Sequence, residues 1–501
     1  MILHLVSLLQ GNVKQYMSQV NIIGSGFSSL AAACYLAQAG HQVTVFEKNA
    51  HLGGRAQVFK KEGFQFDMGP TWYWMPDIFE RFFADFNKKP QDYYELTRLD
   101  PAYRVYFDTM DYVDISGKPE EIIQTFEQIE SGSGLKLRKF LDNASDNYDV
   151  AIKDLVYKPG LNPLELVNLK TAGKLNLFFT TISQQVRKQF KNTRLQQILE
   201  FPVLFLGAKP SSTPAFYNFM NFADFGLGTW HPKGGMSEVA KAMVTLGQSL
   251  GVTYKTHQCV EQIKVENGKA VGLIANDLFY PADIVVSGAD YHHSERLLEP
   301  SLRSYSEVYW SKKTFAPSSL LFYVGFDKPL QNVLHHTLFF DTDFTEHSKE
   351  IYDTAQWPKD PLFYASFSSK TDAIMAPKGM EAGTFLIPIA PGLNDDEATR
   401  AQYFEIILNR LEKLTGQEVK KHILFHKSYA VNDFIKDYNS YKGNAYGLAN
   451  TLLQTAFLRP KIKSNKVKNL YFTGQLTVPG PGVPPALISG KIVSEIILKT
   501  N

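Results

Sequence analysis

Residues 20–29, VNIIGSGFSS, carry the pattern that decides the fold. The first four form an apolar run that is typical of a buried parallel strand. The two glycines then favour a tight turn, and the segment 30–38, rich in Ala and Leu, predicts a helix. A second strand is predicted over 42–46, and Glu47 follows it directly. Strand, glycine turn, helix, strand and acid, in this order, predict a dinucleotide-binding βαβ unit.

Each position in this unit has a physical role. Gly24 permits the tight turn, and Gly26 lets the backbone approach a pyrophosphate. The helix N-terminus supplies free N–H groups and about half a positive charge. Glu47 is placed to accept hydrogen bonds from ribose hydroxyls. Ser29 stands where Gly or Ala is usual, so the fingerprint by itself also fits a structural turn in another α/β protein.

A second glycine segment strengthens the prediction. Gly53, Gly54 and Arg55 come shortly after Glu47 and supply further backbone N–H groups and a fixed cation. The segment GFQFDMGPT follows over 63–71. A simple nicotinamide dehydrogenase does not need a second phosphate clamp of this kind.

Composition excludes several classes of protein. The chain has 501 residues, of which 44% are apolar, and this excludes a disordered chain. Its 52 basic residues are balanced by 50 acidic residues, which argues against a nucleic-acid partner. Two cysteines cannot form a disulfide framework, so a reducing compartment is expected. The 36 Phe and 25 Tyr indicate a large apolar interior or a long apolar ligand site.

Three segments resemble one known family. The stretch 47–55, with 63–71 behind it, is similar to flavoproteins of the amine oxidase and carotenoid desaturase superfamily. The strand and Gly/Pro loop over 469–484 resemble the C-terminal flavin signature of bacterial phytoene desaturases, and WHPKGGM over 230–236 resembles another of their motifs. The resemblance covers nearly the whole chain from Met17.

The resemblance implies FAD as the cofactor. It implies that the Val260 backbone holds the adenine and that Gly482 and Val483 lie under the flavin ring. The full set of residues expected at the cofactor is Gly24, Gly26, Phe27, Ser28, Glu47, Lys48, Gly53, Gly54, Arg55, Gly69, Pro70, Thr71, Val260, Ala289, Gly474, Gln475, Gly482 and Val483. No metal is expected, since the sequence has no metal-ligand spacing, and no catalytic residue is identified.

The expected fold is α/β. It consists of a discontinuous Rossmann-like FAD-binding domain and an α+β substrate domain with a mixed sheet and a helical membrane-associating region. The predicted boundaries are 17–95, 228–298 and 440–501 for the first domain, and 96–227 and 299–439 for the second. Strands are predicted at 318–326, 362–367 and 384–390, and helices at 164–177, 184–199 and 401–414. The segment 1–16 is expected to be a disordered extension and not a signal peptide.

A basic stretch indicates contact with a membrane. The segment 153–194 contains eight Lys and Arg residues against Asp154 and Glu165, with aromatic residues among them. A solvated helix face is the alternative interpretation. No transmembrane helix is predicted, because Gly, Pro and polar residues interrupt the uncharged stretches. The expected location is therefore peripheral, at the cytoplasmic face of the cell membrane; the oligomeric state is left open.

Aromatic residues near the second glycine segment are candidates for a substrate tunnel. These are Trp72, Tyr73 and Trp74, with Phe216 further along the chain, and core packing is the alternative for each. The pairs His292–His293 and His335–His336 are predicted to be structural.

The resemblance implies a carotenoid desaturase that converts phytoene towards lycopene by hydride transfer to FAD. A 1-hydroxycarotenoid 3,4-desaturase or a carotenoid isomerase of the same family is the nearest alternative. An amine oxidase is a second alternative, and a non-enzymatic prenyl-lipid carrier of the GDP-dissociation-inhibitor type is a third.

Overall fold

A parallel sheet gathers strands from the beginning, the middle and the end of the chain. The computed structural model describes residues 17–162, 165 and 173–500. The expected extension 1–16 and most of the predicted helix 164–177 lie outside these residues.

The strands and helices are numbered in chain order. The strands are β1 (Gln19–Ile23), β2 (Gln42–Phe46), β3 (Val58–Lys61), β4 (Phe64–Asp67), β5 (Leu96–Arg98), β6 (Tyr103–Asp108), β7 (Asp111–Ile115), β8 (Trp230–Pro232), β9 (Thr253–Lys255), β10 (Val260–Glu266), β11 (Lys269–Ala275), β12 (Leu278–Pro281), β13 (Ile284–Ser287), β14 (Ser318–Phe326), β15 (His336–Phe339), β16 (Phe363–Ser366), β17 (Glu381–Ile389), β18 (Ile423–Tyr429) and β19 (Leu470–Phe472). The α-helices of five or more residues are α1 (Phe27–Gln38), α2 (Pro76–Ala84), α3 (Pro119–Ile129), α4 (Ser133–Val150), α5 (Leu175–Phe179), α6 (Ile182–Gln189), α7 (Thr193–Glu200), α8 (Met236–Ser249), α9 (Tyr291–Arg296), α10 (Glu307–Ser311), α11 (Phe344–Tyr352), α12 (Glu397–Thr415), α13 (Val431–Tyr438) and α14 (Val483–Thr500).

The first sheet has five parallel strands in the order β19-β13-β1-β2-β9. Its central strands are covered on both faces, which explains why they are apolar without alternation. Val20, Ile22 and Val286, for example, are completely buried. We propose that this sheet, with α1, α8 and α14, is the core of the FAD-binding domain, with the boundaries predicted from the sequence.

The two ends of the chain meet where α14 packs on α1. Gly490 makes this contact close: a Cβ atom there would collide with the carbonyl oxygen of Ser28 and lie 2.6 Å from the Ala31 Cβ. The facing side of α1 is built from small residues, with Ala31 and Ala32 fully buried. Close helix packing thus brings the start of α14 beside the first glycine turn.

The second sheet is mixed. Its seven strands follow the order β18-β14-β17-β16-β15-β6-β7, and all pairs are antiparallel except β15 with β6. The predicted strands 318–326, 362–367 and 384–390 correspond to β14, β16 and β17. The expected α/β class with a mixed sheet is confirmed, and the predicted helix 401–414 lies within α12.

One helix prediction is wrong. The segment 184–199 does not form one helix but belongs to two, α6 and α7. Phe190 is extended, with φ −111° and ψ 138°, and the Asn192 side chain accepts a hydrogen bond from the Arg194 N–H. Asn is a strong N-cap residue, so it begins a new helix where the apolar periodicity alone predicts continuation. None of the helices formed by the described residues is long and apolar enough to cross a membrane.

Candidate active site

A cavity of about 440 Å³ joins the first glycine turn to the inner face of the mixed sheet. Every residue predicted from the resemblance to contact FAD contributes to its wall. These residues come from both ends of the chain and from β10 and the loop after β13. Their contact with the cofactor stays a prediction, but the fold brings all of them to one place.

The first glycine turn leaves room for a phosphate. Gly24 has φ +83°, and a Cβ there would lie 3.3 Å from the Ala289 nitrogen, so a larger residue is excluded. A Cβ on Gly26 would meet no atom within 4 Å. Gly26 is also the N-cap of α1, and no side chain caps the helix. The free N–H groups of the first turn therefore face open space, which suits an anion.

Glu47 is held at the end of β2 by three hydrogen bonds. Its Oε2 accepts from the Ser25 N–H at 3.0 Å and from the Ser25 hydroxyl at 2.7 Å, and its Oε1 accepts from the Asn49 N–H at 2.8 Å. The side chain is only 5% exposed and lies in the cavity wall. These bonds fix the carboxylate beside the glycine turn, where a ribose would lie.

The second glycine segment packs against the first. Gly54 has φ +58°, and a Cβ there would lie 2.9 Å from the Gly26 Cα. This contact places Arg55 next to the turn. Its Nη2 donates to the Ser440 hydroxyl at 3.3 Å and the Asn444 carbonyl at 3.4 Å, and its guanidinium lies 5.1 Å from the Tyr438 ring centroid.

Arg55 forms no close ion pair in the described part of the chain, and the buried Asp290 acts on it only at longer range. The Arg55 Nε is buried without a hydrogen-bond partner, and no carboxylate of the described chain lies within 4 Å of it. Burial lowers the pKa of the guanidinium from its ordinary value. A buried cation of this kind requires an anion. The pyrophosphate of FAD meets that requirement, so the residues present fit the cofactor.

The C-terminal loop closes the site from the other side. The Ser489 hydroxyl accepts from the Gly474 N–H and from the Thr473 hydroxyl, both at 3.0 Å. Gly474 and Gly482 have φ of +108° and +114°, values that favour glycine. The loop leads into α14 at Val483, so a helix N-terminus forms part of the cavity wall.

The cavity continues into an arm lined by aromatic and aliphatic side chains. They are Trp72, Trp74, Phe201, Leu204, Met220, Leu338, Phe340, Phe344, Ile351, Leu362 and Leu386. Rings link them in series: Trp72 lies 5.7 Å from Phe201, and Phe201 lies 5.9 Å from Phe340, between centroids. We call this part the apolar arm.

Two of the predicted tunnel residues lie elsewhere. Trp72 and Trp74 line the cavity, but Tyr73 and Phe216 do not. Tyr73 is fully buried and stacks on Phe79 at 4.2 Å, because successive side chains of an extended segment point in opposite directions. Phe216 stacks on Phe178 at 4.8 Å. Core packing, the alternative interpretation, applies to both.

The polar end of the cavity is closed by Lys48, which the sequence predicted, and by residues that sequence reasoning missed, such as Asp290. Asp290 caps α9 by accepting from the His292 N–H at 3.1 Å, and burial raises its pKa. Lys48 donates to the Lys436 carbonyl at 2.6 Å and the Asn439 side chain at 3.3 Å. An Asp directly before the helical segment 291–296 is a recognisable N-cap signal. No local sequence pattern predicts that residues 437–439 line the cavity, because their position depends on how α13 packs.

The family model for flavin-containing amine oxidoreductases matches residues 27–498. Carotenoid 3,4-desaturase of Haloarcula japonica is 43% identical over 485 residues, which cover 96% of this chain and 98% of that protein. The 4,4'-diapophytoene desaturase (4,4'-diaponeurosporene-forming) of Staphylococcus haemolyticus is 32% identical over 96% of this chain and 98% of that protein.

Solved structures share the fold at low sequence identity. An oxidoreductase from Methanosarcina mazei has a TM-score of 0.62 at 19% identity and covers 95% of this chain and 100% of its own. A variant of putrescine oxidase has a TM-score of 0.60 at 14% identity and covers 97% of this chain and 99% of its own. The structural likeness therefore extends over both sheets.

Replacing Arg55 by Met tests the charge at the cofactor site. We expect Arg55→Met to weaken FAD binding about 10- to 100-fold, because the buried guanidinium is no longer there to meet the pyrophosphate. Titration of flavin-stripped protein with FAD, followed by flavin absorbance, measures the change. Arg138→Met is the matched control, since the Arg138 side chain is exposed on the outer face of α4 and pairs with Glu120. Unchanged affinity in a folded Arg55→Met variant contradicts the assignment.

Proposed function

The chain belongs to the family of flavin-containing amine oxidoreductases, and from this premise we propose that it desaturates a long carotenoid. The protein is an FAD-dependent oxidoreductase. The proposed substrate is an acyclic polyene of the phytoene-to-lycopene type, into which the enzyme introduces conjugated double bonds.

The observation that carries the proposal is the unequal distribution of charge in the cavity. Glu47, Asp290 and Asp437 are the carboxylates that line it in the described part of the chain, and all three lie at the polar end. The apolar arm has none. A hydrocarbon chain can occupy such an arm, whereas a charged amine would lose its hydration there without a compensating anion. The arrangement favours a polyene over a polyamine.

The protein's contribution to the reaction is positional. FAD, when bound, would supply the hydride acceptor for an allylic carbon of the substrate. The aromatic walls of the apolar arm hold the polyene in one orientation and exclude water, so that the resulting allylic cation is not hydrated. Apolar walls do not accept a proton. Loss of the proton that completes the new double bond therefore needs a basic group within reach of the apolar arm.

A second candidate is desaturation at the 3,4-position of a hydroxylated carotenoid. The relative at 43% identity has the name carotenoid 3,4-desaturase. In addition, Ser348 and Tyr352 lie one turn apart on α11 and both line the cavity. Their hydroxyls place polar groups in the wall of the cavity. A hydroxylated end of the substrate can form hydrogen bonds with them.

Product analysis distinguishes the two candidates. FAD-loaded protein is incubated with phytoene or with a 1-hydroxycarotenoid in liposomes, and the products are separated by chromatography. New conjugated double bonds in phytoene support the first proposal. Turnover of only the hydroxylated substrate supports the second, and Tyr352→Phe should then lose about 10-fold of that preference. Tyr106→Phe is the matched control, because the Tyr106 hydroxyl donates to the Asn332 carbonyl outside the cavity.

Other outcomes contradict both candidates. Absence of new double bonds in either substrate would exclude desaturation of these polyenes. Bleaching of the flavin by a polyamine would identify an amine oxidase. A colourless protein that cannot be reconstituted with FAD would favour the prenyl-lipid carrier.

We also propose that the protein docks on a membrane surface. Burying a CH₂ group from water yields about 0.8 kcal/mol, but a carotenoid starts in lipid, so most of this gain is absent. Direct transfer from the bilayer into the apolar arm avoids an aqueous step. The predicted basic segment 153–194 is the candidate for this contact.

Ion pairs and exposed apolar side chains favour a smaller surface than the whole basic segment for this proposed contact. Lys153, Arg187 and Arg194 form ion pairs with Asp149, Glu200 and Asp111. Three strongly exposed apolar side chains lie on the described segments 160–162, 173–180 and 452–461, namely Leu161, Phe179 and Leu453, which are 62%, 80% and 78% exposed. Lys461 links the first and last of these segments by donating to the Gly160 carbonyl at 3.1 Å. Thr180, which follows Phe179, is held in place because its carbonyl accepts from the Ala215 N–H at 2.7 Å. We define these three apolar residues as the docking face.

Replacing Phe179 by Glu tests this face. We expect Phe179→Glu to reduce sedimentation with vesicles that contain anionic lipid. The variant replaces an apolar side chain that can insert into lipid by a carboxylate, whose insertion is unfavourable. Leu278→Glu is the control, since Leu278 is also exposed, at 60%, but lies on β12. Equal sedimentation of both variants and the wild type would place the membrane contact elsewhere.

A further inference from the structure

We propose that the hydroxyl of Tyr364, acting together with His336, accepts the proton that the polyene loses. This inference rests on the proposed desaturation and names the group that completes it. Tyr364 is the catalytic residue in this scheme, because its side chain reaches the cavity. His336 acts through Tyr364.

The two side chains are joined by the register of the mixed sheet. In the pairing of β15 with β16, Leu338 lies opposite Tyr364, and His336 lies opposite Ser366. The Tyr364 hydroxyl lies 2.6 Å from His336 Nδ1 and 2.9 Å from Thr71 Oγ1. A short hydrogen-bonded path therefore leads from the cavity wall into the protein interior.

His336 is suited to receive a proton. It is fully buried, and its Nε2 has no hydrogen-bond partner in the described chain. Its ring stacks on Trp72 with centroids 4.0 Å apart and planes 9° from parallel. The indole face stabilises an imidazolium ion by a cation–π interaction.

The surroundings keep His336 neutral at rest. Burial lowers its pKa well below the ordinary value, and the nearby His231 acts in the same direction. His335 lies beside it on β15, with ring centroids 4.4 Å apart, and Asp372 is bound to His231 at 3.1 Å. A neutral ring that accepts the Tyr364 hydrogen at Nδ1 is ready to take a proton.

A second buried imidazole in the cavity wall, that of His347, is less suited. His347 lines the apolar arm, but its Nδ1 accepts from the Leu362 N–H at 3.0 Å and its Nε2 donates to the Pro388 carbonyl at 2.9 Å. Both nitrogens are therefore occupied. The three carboxylates lie at the polar end. Tyr364, by contrast, has a basic partner behind it in His336.

Transfer of the substrate's proton can be written with Tyr364 and His336 as the only acceptors. After the hydride has left the substrate, a C–H bond next to the cationic centre breaks, and its electron pair forms the new double bond. The released proton binds the Tyr364 oxygen, while the hydroxyl proton of Tyr364 moves to His336 Nδ1. The products are a neutral polyene, a neutral Tyr364 and an imidazolium ion at His336.

Two variants test the proposal by turnover. We expect Tyr364→Phe and His336→Gln each to lower kcat about 100-fold, the usual contribution of a positioned acid or base. KM, bound FAD and Tm should stay close to those of the wild type. Because the two groups act as a unit, the double variant should lose no more than either single variant. Tyr106→Phe, on β6 of the same sheet, should retain wild-type kcat.

Nuclear magnetic resonance of protein carrying isotopically labelled histidine gives a readout independent of activity. The ring nitrogen signals that disappear in His336→Gln should be those of a neutral imidazole at pH 7. They should shift in Tyr364→Phe and not in Tyr106→Phe. A charged His336, or signals unmoved by Tyr364→Phe, would overturn the inference.

The outcomes separate this inference from the proposed function. If the wild type forms desaturated product and Tyr364→Phe does so at the same kcat, the inference fails and the function stands. If the wild type forms no product from any carotenoid, the proposed function fails, and the inference fails with it.

Discussion

The candidate active site depends on one contact, the packing of the last helix, α14, on the first helix, α1. Gly490 has no side chain where α14 meets α1, and this allows the backbones to approach closely. The contact sets the start of α14 beside the first glycine turn, so residues more than 400 positions apart share one cavity wall. Without it, neither end of the chain could enclose a dinucleotide.

The cavity combines two environments that require different physics. At one end, helix N-termini, Arg55 and Glu47 provide fixed charges and dipoles for a polar, anionic group. At the other end, aromatic rings from distant parts of the chain provide an apolar surface. The join between them lies near Thr71 and Trp72, which follow the second glycine segment directly. A cofactor and a lipid-soluble substrate can therefore meet there.

The polar groups at the boundary between the polar end and the apolar arm are the ones that bear on proton transfer. Thr71, Tyr364 and His336 form a connected set beside the apolar arm. A buried polar set is costly unless its members are paired. Here one nitrogen of His336 is unpaired and its ring lies flat on Trp72, which is unusual for a purely structural histidine.

The sequence by itself determined the βαβ unit, the second glycine segment and the C-terminal loop. Phosphate binding depends on local backbone geometry, and glycines at fixed spacing specify that geometry directly. Position 73 shows the limit of such reasoning: Trp72 and Trp74 line the cavity while Tyr73 does not, because only the packed structure fixes which face of an extended segment is turned inward. The division of 184–199 into two helices was likewise decided by a local cap at Asn192 that the periodicity does not show. Only the tertiary structure joined His336 to Tyr364, because that contact arises from the register of two paired strands, and strand register depends on the whole sheet and not on any local pattern.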